Sequence, residues 1–271
     1  MKKKVKQTYL DKPILYRDPS YKQKVLLFDI ETRPNLSYVW GVWEQDVLEV
    51  KEHWNIISYS YKWLGESQTY VVALPDFKNT YKKDPNDDSE LVRSIWELFN
   101  QAEIVIGHNS EKFDTKKANA RFVQQGLEPP MPYKQIDTLR LARRYFKFDS
   151  NKLDSLGDYL KVGRKIHHTG FNLWLGCMNG DMKAWDLMKK YNKQDVILLE
   201  KIYYKLRSWD KSAPNMNLIL GGFHNCPTCG SQYVKNNGIV TTRTSAYEQY
   251  KCLNCGSFSR GEKIKNGFIL R

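Results

Sequence analysis

The stretch Val25-Leu26-Leu27-Phe28-Asp29-Ile30-Glu31-Thr32 constrains this chain more than any other. Its four consecutive apolar residues read as a strand buried on both faces, which belongs in the interior of a sheet. The run then delivers Asp29 and Glu31 two residues apart. On a strand that spacing puts both carboxylates on one face, where they repel each other unless a cation lies between them. Hard divalent cations take carboxylate oxygens, so the next question is whether the chain supplies further acids.

The segments that follow set the fold class. Ile56 to Trp63 and Thr69 to Leu74 are β-rich runs separated by Leu64-Gly65-Glu66-Ser67, which predicts an antiparallel meander on the first strand. From Ser89, an N-cap by residue type, the period becomes helical, with Leu91, Ile95, Leu98 and Phe99 on one face. Glu103 to Gly107 is a second short apolar strand, and Asp114 to Gly126 reads as a helix closed by its glycine. Ile136-Asp137-Thr138 begins another strand-to-helix step, and residues 151–160 form a short helix with Leu153, Leu156 and Leu160 inward. Asp137 reads as a strand-end acid and Asp154 as a helix N-terminal acid. Lys161 to Gly180 reads as irregular; it holds His167 and His168, taken as loop histidines, and Cys177, taken as a small buried apolar residue. A long helix is expected from Asp181 to about Trp209, with Trp185, Leu187 or Met188, Tyr191, Val196, Leu199 and Ile202 as its apolar positions. Strands followed by alternating helix and strand predict an α/β fold, a mixed sheet flanked by helices.

Of the net charge of +13, residues 1–24 carry +6 and residues 221–271 carry +5, so the basic character sits in the two ends. That distribution suits a body flanked by phosphate-attracting segments. No apolar run reaches membrane-spanning length, and the opening MKKKVKQTYL lacks the apolar stretch of a signal peptide. These features predict no membrane association and no secretion. The expected location is intracellular and reducing, cytoplasmic or nucleoid-associated, with the five cysteines as thiols or metal ligands.

Two further acids answer the opening pair. Asp114 ends Asn109-Ser110-Glu111-Lys112-Phe113-Asp114, directly after the second strand, and Asp195 lies on the long helix four residues beyond Tyr191. One helical turn gives that hydroxyl and carboxylate a common face. Converging acids with no compensating cation among them are costly without bound metal.

The segments Asp29-x-Glu31, Asn109-x-x-x-Phe113-Asp114 and Tyr191-x-x-x-Asp195 resemble, in order and spacing, the three motifs of the DEDD exonuclease superfamily, tyrosine branch. Asp137 to Ala142 and Lys152 to Leu156 resemble that family's connecting helices. The resemblance covers about residues 22–208 and implies a ribonuclease H-like fold. It also implies two Mg²⁺ or Mn²⁺ ions, Asp29, Glu31 and Asp195 holding one and Asp29 with Asp114 the other. Tyr191 would orient the attacking water, and Asn109 and Phe113 would shape the substrate side.

Near the C-terminus, Cys226-Pro227-Thr228-Cys229 and Cys252-Leu253-Asn254-Cys255 are two knuckles, each followed by glycine. Two such pairs predict a four-cysteine zinc site and resemble a zinc ribbon, with Val234 to Tyr250 as its β-hairpin. A module this small buries too little surface to fold unaided, so one structural Zn²⁺ is expected.

The expected organisation is a basic arm over residues 1–21, an exonuclease domain over 22–213 and a zinc ribbon over 222–271, with Pro214 ending the body and Gly221-Gly222 as the hinge. The expected activity is metal-dependent 3′–5′ hydrolysis of DNA to 5′-mononucleotides. It would serve proofreading in trans, beside a separate DNA polymerase or replication protein, or repair. An exoribonuclease and a catalytically silent nucleic-acid-binding protein remain the alternatives at this point.

Overall fold

The computed structural model describes residues 24–43, 46–220 and 224–264. The arm assigned to residues 1–21 and the hinge at Gly221-Gly222 lie outside the described residues. Two compact units divide the chain, one spanning Lys24–Asp210 and one holding the described residues beyond it.

The larger unit begins with β1 (Val25–Thr32), followed by a short hairpin of β2 (Leu36–Tyr38) and β3 (Glu49–Glu52). Then come β4 (Ile56–Trp63), β5 (Tyr70–Ala73), α1 (Lys78–Lys83), α2 (Ser89–Gln101), β6 (Ile104–Gly107) and α3 (Asp114–Gln124). The remaining elements are β7 (Lys134–Asp137), α4 (Thr138–Tyr145), α5 (Leu153–Tyr159), α6 (Phe171–Met178) and the 25-residue α7 (Met182–Leu206). Five strands form one sheet in the order β5-β4-β1-β6-β7. β1 is antiparallel to β4 and parallel to β6, so the sheet is mixed, as expected.

Val25 to Phe28 are buried because β1 has a strand on each side and a helical layer on each face. Alternation sends Phe28 toward α2, where it meets Phe99 edge-on with ring centroids 4.9 Å apart. The same alternation turns Asp29 and Glu31 toward α7. Directly across the ladder they face Ser60 and Ser58, whose small side chains leave room above the acids. Asn192 of α7 occupies that room. Ser58 Oγ donates to Asn192 Oδ1 and Ser60 Oγ to the Asn192 carbonyl, both at 2.6 Å. Further along the same face, Lys62 and Glu200 form an ion pair at 2.5 Å. No helix among the described residues is long and apolar enough to cross a membrane.

Three local expectations change. Ser89 is the first residue of α2, and the capping position belongs to Asp88. The Asp88 carboxylate caps nothing with its side chain; it accepts Ile56 N–H at 2.9 Å and pairs with Arg121, tying β4 to α3. The stretch 161–180 contains α6, whose residues are nearly all apolar, so no polar face marks its period. The β2–β3 hairpin escapes a pattern reading because its strands are short and bury neither face.

The smaller unit holds α8 (Met216–Leu220), β8 (Val234–Thr241), β9 (Ala246–Cys252) and β10 (Phe258–Lys263). The expected hairpin gains a third strand, giving an antiparallel sheet of order β10-β9-β8.

Candidate functional site

β1 and α7 bring Asp29, Glu31 and Asp195 together, with one carboxylate oxygen of each within 4.8 Å of the others. Asn192 Nδ2 donates to Asp29 Oδ2 at 2.7 Å, so the helix that brings Asp195 also fixes the first acid. Asp114 stands beside this trio. Its Oδ1 accepts the Ile30 N–H at 3.2 Å, which anchors the start of α3 to the backbone between Asp29 and Glu31.

The loop before Asp114 is braced from β7. Asp137 accepts Asn109 N–H at 2.9 Å and Glu111 N–H at 3.2 Å, and also Leu139 N–H at 2.9 Å and Arg140 N–H at 3.3 Å. One carboxylate therefore caps α4 and holds the loop that leads to the site. Asn109 adopts the left-handed conformation at φ 65°, which turns its carbonyl to accept Lys112 N–H and Phe113 N–H. Phe113 emerges with 40% of its surface exposed.

Four acids in one region shift each other. Burial, then Asp114, Asp195 and Glu31, hold Asp29 well above the ordinary carboxylate range. Burial and Asp195 push Glu31 up to about 8, and burial pushes Asp114 up to about 7 against the Ile30 hydrogen bond. Asp195 is raised by burial although Lys165 opposes the shift.

Lys165 is the residue that the sequence reading missed. Its ammonium lies 2.6 Å from Asp195 Oδ2 and 2.9 Å from the Tyr191 hydroxyl. Burial pulls the ammonium down, but Asp195 and Tyr191 carry it above its ordinary value, so it stays charged. Asp154 Oδ1 accepts the Lys165 N–H at 2.8 Å, and Gln194 of α7 donates to the Arg164 carbonyl at 2.9 Å. Asp154 is thus a first-turn acid of α5, as read, and also the anchor of Lys165. Burial and Asp195 push the Tyr191 phenol up, keeping it protonated. His168, read as a loop histidine, packs its ring 4.7 Å from that of Tyr191 and 5.2 Å from that of Trp174. Cys177 is buried, as read.

A cleft of about 480 Å³ is bordered by Thr32, Arg33, Trp54, Lys117, Phe171 and Trp174 among others. Thr32 follows Glu31 in β1, and the Trp174 ring lies 6.2 Å from that of Tyr191, so the cleft lies near the acid cluster, although none of the four acids lines it. The Lys117 ammonium sits 3.6 Å from the Trp54 ring centre and 5.5 Å from that of Phe113. Cations beside exposed rings can engage phosphates and bases at once.

The donor set fits hard divalent cations. Three carboxylates converge, four acids face one ammonium, and Asp195 Oδ1 is buried with no hydrogen-bond partner among the described residues. In the smaller unit, Cys226, Cys229, Cys252 and Cys255 place their four sulfurs within 4.8 Å of one another. The Cys226–Cys255 and Cys229–Cys252 sulfur separations are 3.7 and 3.8 Å. A tetrahedron with metal–sulfur bonds of about 2.3 Å has edges of about 3.8 Å, so the spacing fits one such ion. Both knuckles close alike. Gly230 and Gly256 take positive φ values of 74° and 80°, and each donates its N–H back to the first cysteine of its pair.

Residues 65–207, just over half of the chain, match the family model described as the RNase_H superfamily. The chain belongs to the RNase_H superfamily. The matched part of this superfamily member takes in Asn109, Phe113, Asp114, Lys165, Tyr191 and Asp195; Asp29 and Glu31 precede it and the cysteines follow it. The chain is 24% identical to Protein NEN3 of Arabidopsis thaliana over 176 residues, which is 59% of this chain and 34% of NEN3. Among solved structures it resembles the family B DNA polymerase of the hyperthermophilic archaeon Pyrobaculum calidifontis, with a TM-score of 0.52 and 14% identity. That likeness covers 70% of this chain and 25% of the polymerase, and it concerns the fold alone. The chain thus spans about a third of the length of NEN3 and a quarter of the polymerase.

Proposed function

We propose that this chain is a metal-dependent 3′–5′ exonuclease that hydrolyses single-stranded or frayed DNA ends to 5′-mononucleotides. The observation that carries the proposal is the convergence of Asp29, Glu31 and Asp195 within 4.8 Å, near a cleft lined by Trp54, Phe171, Trp174 and Lys117. The 3′–5′ polarity follows the resemblance of the three motifs to the tyrosine branch of the DEDD exonucleases. The polymerase among the fold relatives is consistent with a DNA substrate and a replication or repair setting.

Asp29, Glu31, Asp195 and Asp114 would hold two Mg²⁺ or Mn²⁺ ions, which when bound supply water activation and charge neutralisation in the in-line displacement on phosphorus. The chain's own groups do the positioning. Tyr191, held protonated, orients the attacking water by hydrogen bonding rather than by taking its proton. Lys165, held charged beside the Tyr191 hydroxyl and Asp195, would offset negative charge that develops near them during the displacement. Asn192 keeps one oxygen of Asp29 engaged and so fixes the direction of the other. Phe113 and the rings of the nearby cleft would stack the terminal bases, with Asn109 fixing the loop between them. The four cysteines would hold one structural Zn²⁺ that folds the smaller unit.

The test follows a 5′-labelled single-stranded DNA and its RNA counterpart on a gel with Mg²⁺ or Mn²⁺, beside Asp29→Ala. A ladder shortening from the 3′ end of DNA, absent in the variant, is the expected result. Shortening mainly of RNA would make the chain an exoribonuclease. No degradation of either by folded, metal-loaded protein would overturn the enzymatic reading.

A further inference from the structure

The two faces of the β10-β9-β8 sheet are chemically unlike. On β9, Tyr247, Gln249 and Lys251 alternate onto one face. The ladder sets Lys235 of β8 opposite Lys251, and sets Phe258, Arg260 and Lys263 of β10 opposite Lys251, Gln249 and Tyr247. Directly opposed side chains share a face, and the contacts agree. The Lys251 ammonium lies 5.5 Å from the Phe258 ring centre, and the Arg260 guanidinium 5.3 Å from that of Tyr247. Asn237 Nδ2 donates to Gln249 Oε1 at 2.9 Å on the same side. One face therefore carries four cations and two rings.

The acids of these strands lie on the other side. Glu248 accepts the Tyr250 hydroxyl at 2.7 Å, and Glu248 and Glu262 both act on that same hydroxyl, raising its pKa above the ordinary value. Among the described residues, then, no carboxylate offsets the cationic face. Lys235 and Lys251 stand directly opposed, an arrangement that costs stability unless an anion lies over it. Lys235, Arg260 and Lys263 are exposed, and Phe258 keeps 57% of its surface. Tyr247 and the position opposite Phe258 are separated by about 14 Å along β9, at about 3.4 Å per residue.

The ligand that matches is a polyanion with flat apolar faces. Phosphates alone would satisfy the cations, but only unpaired bases can stack on the rings, because in a duplex the base faces are already covered. We infer that this face of the cysteine module binds single-stranded nucleic acid, stacking bases on Tyr247 and Phe258 and taking phosphates with Lys235, Lys251, Arg260 and Lys263. It is a binding site of its own and stands without the exonuclease reading, since it uses none of the clustered acids.

The test uses the full chain, zinc-replete, and fluorescence anisotropy of a labelled 20-nucleotide oligo(dT) without added Mg²⁺ or Mn²⁺, so that affinity is read apart from hydrolysis. The double variant Tyr247→Ala/Phe258→Ala should bind the single strand at least about 10-fold more weakly, as the loss of stacking on two rings requires. Its binding to a duplex of equal length should change far less. Lys251→Glu/Arg260→Glu should weaken binding and flatten the slope of log K against log salt by about 1.4, two phosphate contacts' worth on a single strand. Zinc content checks that each variant keeps the module folded. Unchanged affinity in both variants would overturn the inference, as would equal losses on single strand and duplex, which would leave a plain cationic patch. A face that ignores nucleic acid yet captures polyglutamate would overturn it in favour of an acidic protein partner. Continued degradation by Asp29→Ala would instead sink the exonuclease reading and leave this one untouched.

Discussion

Lys165 and Asn192 show how single side chains hold two of the four acids in place. Asp195 has one oxygen on an ammonium and one without a partner among the described residues, while Asp29 is gripped through an amide that itself depends on Ser58. Asp29→Ala should end hydrolysis, yet raise the melting temperature of the metal-free chain, because it removes one of the mutually repelling groups. Calorimetry with and without Mn²⁺ would read both effects. Lys165→Ala should do the reverse in the metal-free state, costing about 3 kcal/mol by leaving Asp195 buried beside no cation. Tyr191→Phe should lower kcat about 10²-fold with little change in KM, which single-turnover kinetics would separate from weakened binding. Sequence reasoning located the acids because strand alternation and helical spacing fix which face a residue takes. Lys165 gave no such signal: it sits in a segment without regular secondary structure and reaches Asp195 only through the fold. Asn192 did leave a trace, as a polar residue between Met188 and Val196 in the apolar stripe of α7, a position that demands buried partners.

At the scale of elements, the site depends on how loops are tied to regular structure. The brace at the end of β7 accepts four backbone N–H groups through one side chain. Asp137→Ala should cost roughly 2 kcal/mol by leaving partly buried donors unpaired, and should raise KM as the Phe113 loop loosens. Denaturant unfolding and steady-state kinetics on the same preparation would test the pair. The sequence marked Asp137 as a strand-end acid, but its reach back to Asn109 joins residues 28 apart and belongs to the parallel pairing of β6 with β7. β1, β4 and α7 were legible because their periods are long and regular. α6 was not, since a short apolar helix carries no polar face, and neither was the β2–β3 hairpin, whose Trp40 and Trp43 stand exposed where a pattern reading expects burial.

For the molecule as a whole, the raised carboxyls make stability depend on pH. Unfolded Glu and Asp titrate near about 4, whereas folded Glu31 and Asp114 lie at about 8 and about 7. The folded state thus binds more protons between those values, and stability is lost as pH rises through them. His108 works in the opposite sense, since burial lowers it to about 4, but only below its unfolded value near about 6.5. From pH 6.5 to 8 the melting temperature of the metal-free chain should therefore fall, and Mg²⁺ or Mn²⁺ should restore it by an amount that grows with pH. Chelation of the cysteine cluster should unfold the smaller unit, seen as loss of β8–β10 protection in hydrogen exchange. The five-stranded sheet carries one further consequence at its margins. Its outermost strands, β5 and β7, are four residues long, and the longer β1 and β4 are enclosed between neighbours. A stray chain adding itself to either rim would find few rungs to pair with, so this sheet offers a poor template for runaway strand addition in concentrated solution.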